Sequence, residues 1–185
     1  MSKNTAGFVI LGIISIAGLG LGGYTYYTTL VSPQIVEKQG LILVGLWDEL
    51  DYNTDFTPYI TTNNWLLEYR ENRINNSDYF SVSNNNTRIT LLKPGWYRIQ
   101  LTMILWSIDA GYMYWIIILK NGVQEFYLFY DKTPTILDSD LLLFDSSAFV
   151  YSNGTDYFEI RGYAFSDPFY PGSQIYNQLT IEFVL

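Results

Sequence analysis

The amino-acid sequence predicts an all-β domain, a sandwich or jelly roll, over residues 40–185. Short apolar runs separated by turn residues recur after residue 40, and no stretch there keeps the 3.6-residue period of a helix. The clearest strand follows the Pro-Gly turn at residues 94–95, where the side chains alternate strictly up to residue 106. One face of this central strand is wholly apolar and is predicted to lie in the core: Tyr97, Ile99, Leu101, Met103 and Leu105.

One N-terminal transmembrane helix is predicted before this domain. Lys3 and Glu37 bracket an uncharged segment, and its residues 6–23 would span about 27 Å as a helix, close to the hydrocarbon thickness of a bilayer. A retained signal anchor is favoured because no clean cleavage site follows; a secretory signal cut at residues 17–20 and a pilin-like leader cut near residues 6–7 stay open. The predicted domains are therefore a membrane-anchor (or uncleaved signal) helix at 1–31, a linker at 32–39 and the jelly roll at 40–185.

The remaining strands follow from apolar runs and turn signals. Residues 48–55 are predicted to be a polar loop. Residues 112–119 are apolar at every position, which predicts a strand buried on both faces. Lys120-Asn121-Gly122 predicts a hairpin turn. The further strands are predicted at 41–47, 65–69, 79–82, 88–92, 112–119, 123–130, 141–151, 156–165 and 177–185.

Composition excludes several classes of function. The net charge of −8 and the scattered Lys and Arg argue against nucleic acid as a partner, because phosphates require clustered cations. With no Cys and no His, the chain can form no disulfide, no thiolate or imidazole catalytic group and no zinc site built from them. Hydrophobic residues make up 49% of the chain and charged residues 15%, which provides a substantial core and excludes disorder.

The order of these segments resembles the C1q/TNF-like family of trimeric jelly rolls. Two departures are Thr155, which interrupts the family's Gly-Asp turn, and the polar Thr180 and Glu182 in a strand that is more often small and apolar. The resemblance implies a non-enzymatic binding or signalling head that forms a homotrimer and is often held at a cell surface. The matching segments are residues 93–97 (Lys-Pro-Gly-Trp-Tyr), 118–122 (Ile-Leu-Lys-Asn-Gly), 148–160 around Asn-Gly-Thr-Asp, and the closing strand at 177–185.

The second face of the central strand mixes indoles with polar groups, a composition typical of protein interfaces. Together with the extra apolar face of residues 112–119, it is more apolar surface than a monomer exposes, so residues 36 onward are predicted to trimerise. Arg98 needs a partner if it is buried, and Glu159 or Glu182 is predicted to provide it. The predicted trimer-interface residues are Trp96, Arg98, Trp106, Trp115, Glu159 and Glu182.

Two groups of acidic residues are candidates for chemistry. Asp48, Asp51 and Asp55 offer oxygen ligands for Ca²⁺, but their spacing matches no EF-hand loop, so a solvated acidic loop is favoured. The second group could supply the carboxylate pair of a glycosidase, although its members are also ordinary turn formers, and no enzyme is predicted. This group is Asp131, Asp138, Asp140 and Asp145.

Two features of the sequence suggest contact with glycans: sequons for glycan attachment and tryptophans for sugar binding. Sequons begin at Asn75, Asn85 and Asn153, each in a predicted turn, and they favour a C-terminal domain outside the cell. The tryptophans could form a sugar-stacking platform, but core or interface positions are favoured for Trp96 and Trp115. The candidates for such a platform are Trp47, Trp65, Trp96, Trp106 and Trp115.

These observations predict a membrane-anchored cell-surface binding or adhesion protein with a homotrimeric C1q/TNF-like head. It would be single-pass, with its C-terminal domain outside, and its ligand would be an extracellular protein or glycan. The alternative is a structural subunit of a surface filament, layer or virus-like coat built from jelly-roll domains. A hydrolase ranks third, and no cofactor beyond calcium is implied.

Overall fold

The computed structural model describes residues 40–135, 140–172 and 176–185. The predicted anchor helix and linker, and Asp138, lie outside the described residues. In the part of the chain that the structure describes, no helix is long and apolar enough to span a membrane. The described strands are β1 (Leu41–Asn53), β2 (Asn64–Asn75), β3 (Phe80–Ser83), β4 (Arg88–Leu91), β5 (Pro94–Trp106), β6 (Met113–Lys120), β7 (Val123–Lys132), β8 (Leu141–Asn153), β9 (Tyr157–Ala164), β10 (Tyr170–Pro171) and β11 (Gln178–Val184).

These strands pair antiparallel in one continuous sheet, which β2 divides into two layers. The first layer has the order β8–β5–β11–β1, and the two-residue strand β10 extends it beside the end of β5. The second layer has the order β7–β6–β9, with β2 and β4 both beside β9 and β3 beside β4. The predicted all-β class is confirmed.

Strand β2 belongs to both layers. Its residues 64–66 pair with β9, whereas residues 66–75 pair with β1. The two layers are therefore joined at one edge by a continuous hydrogen-bonded strand.

The core lies between the layers, and it confirms the predicted inward face of β5. All five alternating residues from Tyr97 to Leu105 are fully buried. Burying one large apolar side chain contributes roughly 1.5–3 kcal/mol, so this face is a major source of stability. The residues of β6 and β9 in the same cluster are Tyr114, Ile116, Ile118, Phe158, Ile160 and Ala164.

The acidic segment after residue 47 differs from the prediction, because β1 continues through it to Asn53. A backbone irregularity at Glu49, whose φ is 52°, interrupts the regular strand. Arginines of β2 then hold the acidic side chains: Asp51 lies 2.5 Å from Arg70 Nη2, and Asp48 lies 2.9 Å from Arg73 Nε. The polarity of residues 48–53 alone predicts a loop, but their pairing with β2 makes them part of a strand.

Strand β6 is buried on both faces, as predicted, but the second face is covered from within the chain. Ile117 and Leu119 form a small cluster with Leu66 of β2. Phe56 and Tyr59, from the loop between β1 and β2, pack against this cluster. This apolar face was predicted to contribute to association between chains. Residues of the same domain cover this part of it instead.

Two turns are tied together by Asp156. The predicted hairpin at residues 120–122 is confirmed, with positive φ at Asn121 (51°) and Gly122 (77°), as a tight two-residue hairpin turn requires. Asp156 Oδ1 accepts a hydrogen bond from Asn121 Nδ2 at 2.7 Å, and Oδ2 accepts one from the Asn153 backbone at 2.9 Å. Lys120 Nζ lies 3.3 Å from the same carboxylate. The hydrogen bond from Asn121 is the largest of the effects that hold the pKa of Asp156 below its ordinary value.

We expect Asp156→Asn to destabilise the domain in a pH-dependent way. Because the native pKa is depressed, the carboxylate stabilises the fold fully above the unfolded pKa of about 4, and this stabilisation is lost as the pH falls through the native pKa. Urea unfolding at fixed protein concentration should show a loss of about 1–2 kcal/mol near neutral pH. The difference from wild type should shrink towards about pH 3. A difference that does not change with pH would contradict this role.

Candidate functional site

The outward side chains of β8, β5, β11 and β1 form one continuous surface, called here the β5 face. Its rows are set by the strand register, in which Trp96 lies opposite Tyr151 and Ile104 lies opposite Leu143. The next row towards the middle joins Glu182 of β11 to Arg98 of β5. This surface is the second face of the predicted central strand.

Both ends of the β5 face expose large apolar side chains. At one end Trp96 and Phe149 are 51% and 57% exposed, and the rings of Trp96 and Tyr151 lie edge to face at 5.5 Å. At the other end Leu143 is 65% exposed. Exposed apolar side chains clustered in this way are typical of surfaces that contact another molecule. The remaining exposed members of this end are Trp106 and Leu141.

A polar belt crosses the middle of the β5 face, between the two apolar ends. Arg98 Nη1 lies 3.1 Å from Glu182 Oε2, and Arg98 Nη2 donates to Gln100 Oε1 at 2.9 Å. Gln100 Nε2 and Thr102 Oγ1 both donate to Asp145 Oδ1, at 3.1 and 3.0 Å. The predicted pairing of Arg98 with Glu182 is confirmed within one chain. These hydrogen bonds hold the charges and amides of the belt in fixed positions, where a surface of complementary charge can bind them.

The structure brings together four of the six predicted interface residues. Trp96, Arg98, Trp106 and Glu182 lie on the β5 face. Trp115 and Glu159 lie instead on β6 and β9, in the second layer. Period-two alternation identifies the two faces of a strand, but it does not tell which sheet the strand joins.

Glu159 has a partner in its own chain. Its Oε1 accepts hydrogen bonds from Arg88 Nε at 2.9 Å and Nη2 at 2.8 Å, and its side chain is 4% exposed. The guanidinium of Arg88 also lies over the ring of Tyr157, at 3.9 Å from its centroid. Sequence reasoning gave Glu159 only as one of two alternative partners of Arg98, and it missed Arg88, although Arg88 stands at the start of a predicted strand.

The acidic candidates are dispersed. In residues 40–135, 140–172 and 176–185, no three acidic side chains lie close enough to hold a metal ion. Asp48 and Asp51 pair with arginines, and the backbone of Asp55 donates to Asn53 Oδ1. In the second acidic group, Asp145 belongs to the polar belt, whereas Asp131 lies on β7 in the other layer.

The glycan candidates separate into exposed and buried residues. Asn75, Asn85 and Asn153 are all exposed, at the ends of β2 and β8 and in the turn between β3 and β4. Their glycosylation stays a prediction. Trp47 and Trp65 are fully buried in the core, so they cannot stack against a sugar.

Comparison with known proteins identifies the fold. No family model matches the chain, and no curated protein matches its sequence. A crystal structure of murine APRIL at pH 8.0 is 9% identical, covering 75% of this chain and 98% of its own, with a TM-score of 0.50. Another at pH 5.0 is 11% identical, covering 78% and 99%, with a TM-score of 0.53. The strand pairing and this structural likeness together identify the domain as a jelly roll with the TNF-like fold.

Proposed function

We propose that this chain is a membrane-anchored cell-surface binding or adhesion protein whose TNF-like head is a homotrimer. The β5 face is the observation that carries the proposal. It combines two exposed apolar ends with a hydrogen-bonded polar belt, and it lies on one layer of a fold that supports trimers. The role proposed for the head is binding, without an enzymatic reaction.

A second and third copy of this chain are the occupants that best fit the β5 face. Apolar ends such as those at Phe149 and Leu143 gain about 25 cal/mol for each Å² removed from water. That gain must exceed the cost of lost rotation and translation, which large apolar interfaces achieve. The polar belt would then fix the register of the subunits, because a shifted copy would place its apolar side chains against the charges of Arg98 and Asp145.

Light scattering tests the trimer. The chain from Gln34 onward should fold and give three times the mass of one chain at micromolar concentration. Circular dichroism should show the β spectrum in the same sample. A stable, folded monomer would contradict the homotrimer and leave the β5 face to a different partner.

We place the protein in the cell membrane through residues 6–23, with the head outside. The support is the long uncharged segment between Lys3 and Glu37, together with exposed sequon asparagines in the head. Alkaline carbonate washing of membranes should leave the full-length protein in the pellet. The chain from Gln34 onward, expressed in the same cells, is the control and should stay in the supernatant. Release of the full-length protein would contradict the anchor.

The alternative is a structural subunit of a surface filament, layer or virus-like coat. One observation favours it: exposed aromatics in the second layer, such as Tyr130, offer a second contact surface. Negative-stain imaging of the purified full-length protein separates the two functions. Discrete trimers support the binding protein, whereas extended polymers support the structural subunit.

A further inference from the structure

The second layer carries an aromatic pocket that is separate from the β5 face. Strand register places its rings in one row, with Tyr130 of β7 opposite Trp115 of β6 and Trp115 opposite Tyr163 of β9. The next row runs from Tyr127 through Ile117 to Arg161. The pocket between these side chains has a volume of about 310 Å³. Its lining is completed by Gln124 and Phe165.

The rings form a wall with aromatic faces and edges exposed. Trp115 and Tyr163 are inclined by 31° with their centroids 5.1 Å apart, and Tyr130 lies 5.9 Å from Trp115. Phe165 stands edge-on to Trp115 at 5.5 Å. Core packing does not account for this wall, because Tyr130 and Phe165 are largely exposed.

Arg161 gives the pocket a positive charge that is not neutralised by the described residues. The other four arginines each pair with a carboxylate, whereas Arg161 forms no ion pair in the described part of the chain. Its Nε donates to Asn64 Oδ1 at 2.8 Å, and its guanidinium lies 4.5 Å from the centroid of Tyr163. The guanidinium also lies 5.4 Å from the centroid of Tyr59. These contacts hold it in place, and its two terminal nitrogens have no hydrogen bond to a described residue, so they can bind an incoming ligand.

We propose that the aromatic pocket binds an acidic sugar, with the pyranose ring against the aromatic wall and the carboxylate on Arg161. A pyranose ring has apolar C–H faces and a polar rim, so it packs on aromatic rings while polar groups such as Gln124 bind its hydroxyls. A carboxylate matches the two terminal N–H groups of an arginine in a bidentate pair. The pocket volume is at the lower end for small-ligand sites, which fits a single sugar unit.

Other ligand classes fit less well. A cationic ligand would be repelled by Arg161, although the aromatic rings alone would suit it. A protein partner would need a broad surface of about 800 Å² rather than a small concave pocket. The proposal depends on the proposed function only in taking the head to be a binding module, and it does not require the trimer.

Calorimetric titration of the full-length protein with D-glucuronate and D-glucose tests this site. The two probes differ only at C6, where glucuronate has a carboxylate. Glucuronate should bind about tenfold more tightly than glucose, because a charge-assisted pair contributes that much to affinity. Arg161→Met should reduce the affinity for glucuronate to that for glucose. Tyr130→Ala should weaken both sugars, and Tyr176→Ala, an equally exposed tyrosine on another surface, should weaken neither.

Several outcomes would overturn the proposal. One is no heat of binding with glucuronate at millimolar concentration from protein that is folded by circular dichroism. Another is equal affinity for the two sugars. A third is that the wild-type protein binds neither sugar while Tyr130→Ala changes the oligomeric mass. That result would assign the pocket to a protein contact instead. Glucuronate binding by a monomer would support this site while refuting the trimer.

Discussion

Replacing Leu143 with arginine is expected to convert the proposed trimer into a folded monomer. Leu143 is 65% exposed in the single chain and pairs across β5 with Ile104, at an apolar end of the β5 face. Arginine at this position stays solvated in the monomer, so folding should be unaffected. In the trimer each copy would desolvate a new charge without a partner, at a cost of several kcal/mol per charge. Light scattering should give the mass of one chain, with an unchanged circular dichroism spectrum.

Val123→Arg is the matched control for this change. Val123 is similarly exposed, at 69%, but it lies at the start of β7 in the second layer. The same charge introduced there should leave the trimer intact. Two results would remove the β5 face from the interface: a trimer that persists in Leu143→Arg, or dissociation by both variants alike.

Arg88→Met is expected to cost about 3–5 kcal/mol of the free energy of unfolding. The reason is that Glu159 is buried and receives two hydrogen bonds from Arg88, so removing the arginine leaves an uncompensated buried carboxylate. A loss of this size is a large part of the stability of an ordinary domain, which is about 5–15 kcal/mol. Urea unfolding monitored by tryptophan fluorescence measures it.

The double variant Arg88→Met/Glu159→Leu should recover most of that loss, because it removes both charges together. Arg73→Met serves as a control and should change the free energy of unfolding far less, since Arg73 is half-exposed and its ion pairs with Asp48 and Glu71 lie at the surface. If the double variant were as unstable as Arg88→Met, the cost would lie in lost packing over Tyr157 and not in the buried charge.

The faces of β5 could be predicted from sequence because they depend on local geometry alone. Side chains alternate with a period of two in any extended strand, so the buried set from Tyr97 to Leu105 follows without knowledge of the neighbouring strands. The pairing of Arg98 with Glu182 was predictable in part for the same reason. Both residues stand on outward faces, and the register of β11 with β5 places them opposite each other.

Features that depend on which strands become neighbours could not be predicted in this way. The partner of Glu159, Arg88, was not predicted, because alternation does not tell that β4 and β9 share a sheet. Residues 48–53 form a strand because the distant segment β2 pairs with their backbone. Arg70 and Arg73 of β2 also form ion pairs with Asp51 and Asp48. The loop that covers Ile117 is irregular, so its Phe56 and Tyr59 carry no periodic signal.

The position of β1 also determines how the domain resists mechanical tension. Residues 41–48 of β1 pair with β11, and residues 45–53 pair with β2, so the strand is held on both sides over its middle part. In the membrane-anchored protein proposed above, the head would be pulled through the start of this strand whenever its ligand is held by another surface. To pull β1 out, the force would have to break its hydrogen bonds to β11 and to β2 together. An edge strand has hydrogen bonds on one side only, and these could break one after another. Because β2 continues into the second layer, the same force is also shared between both sheets.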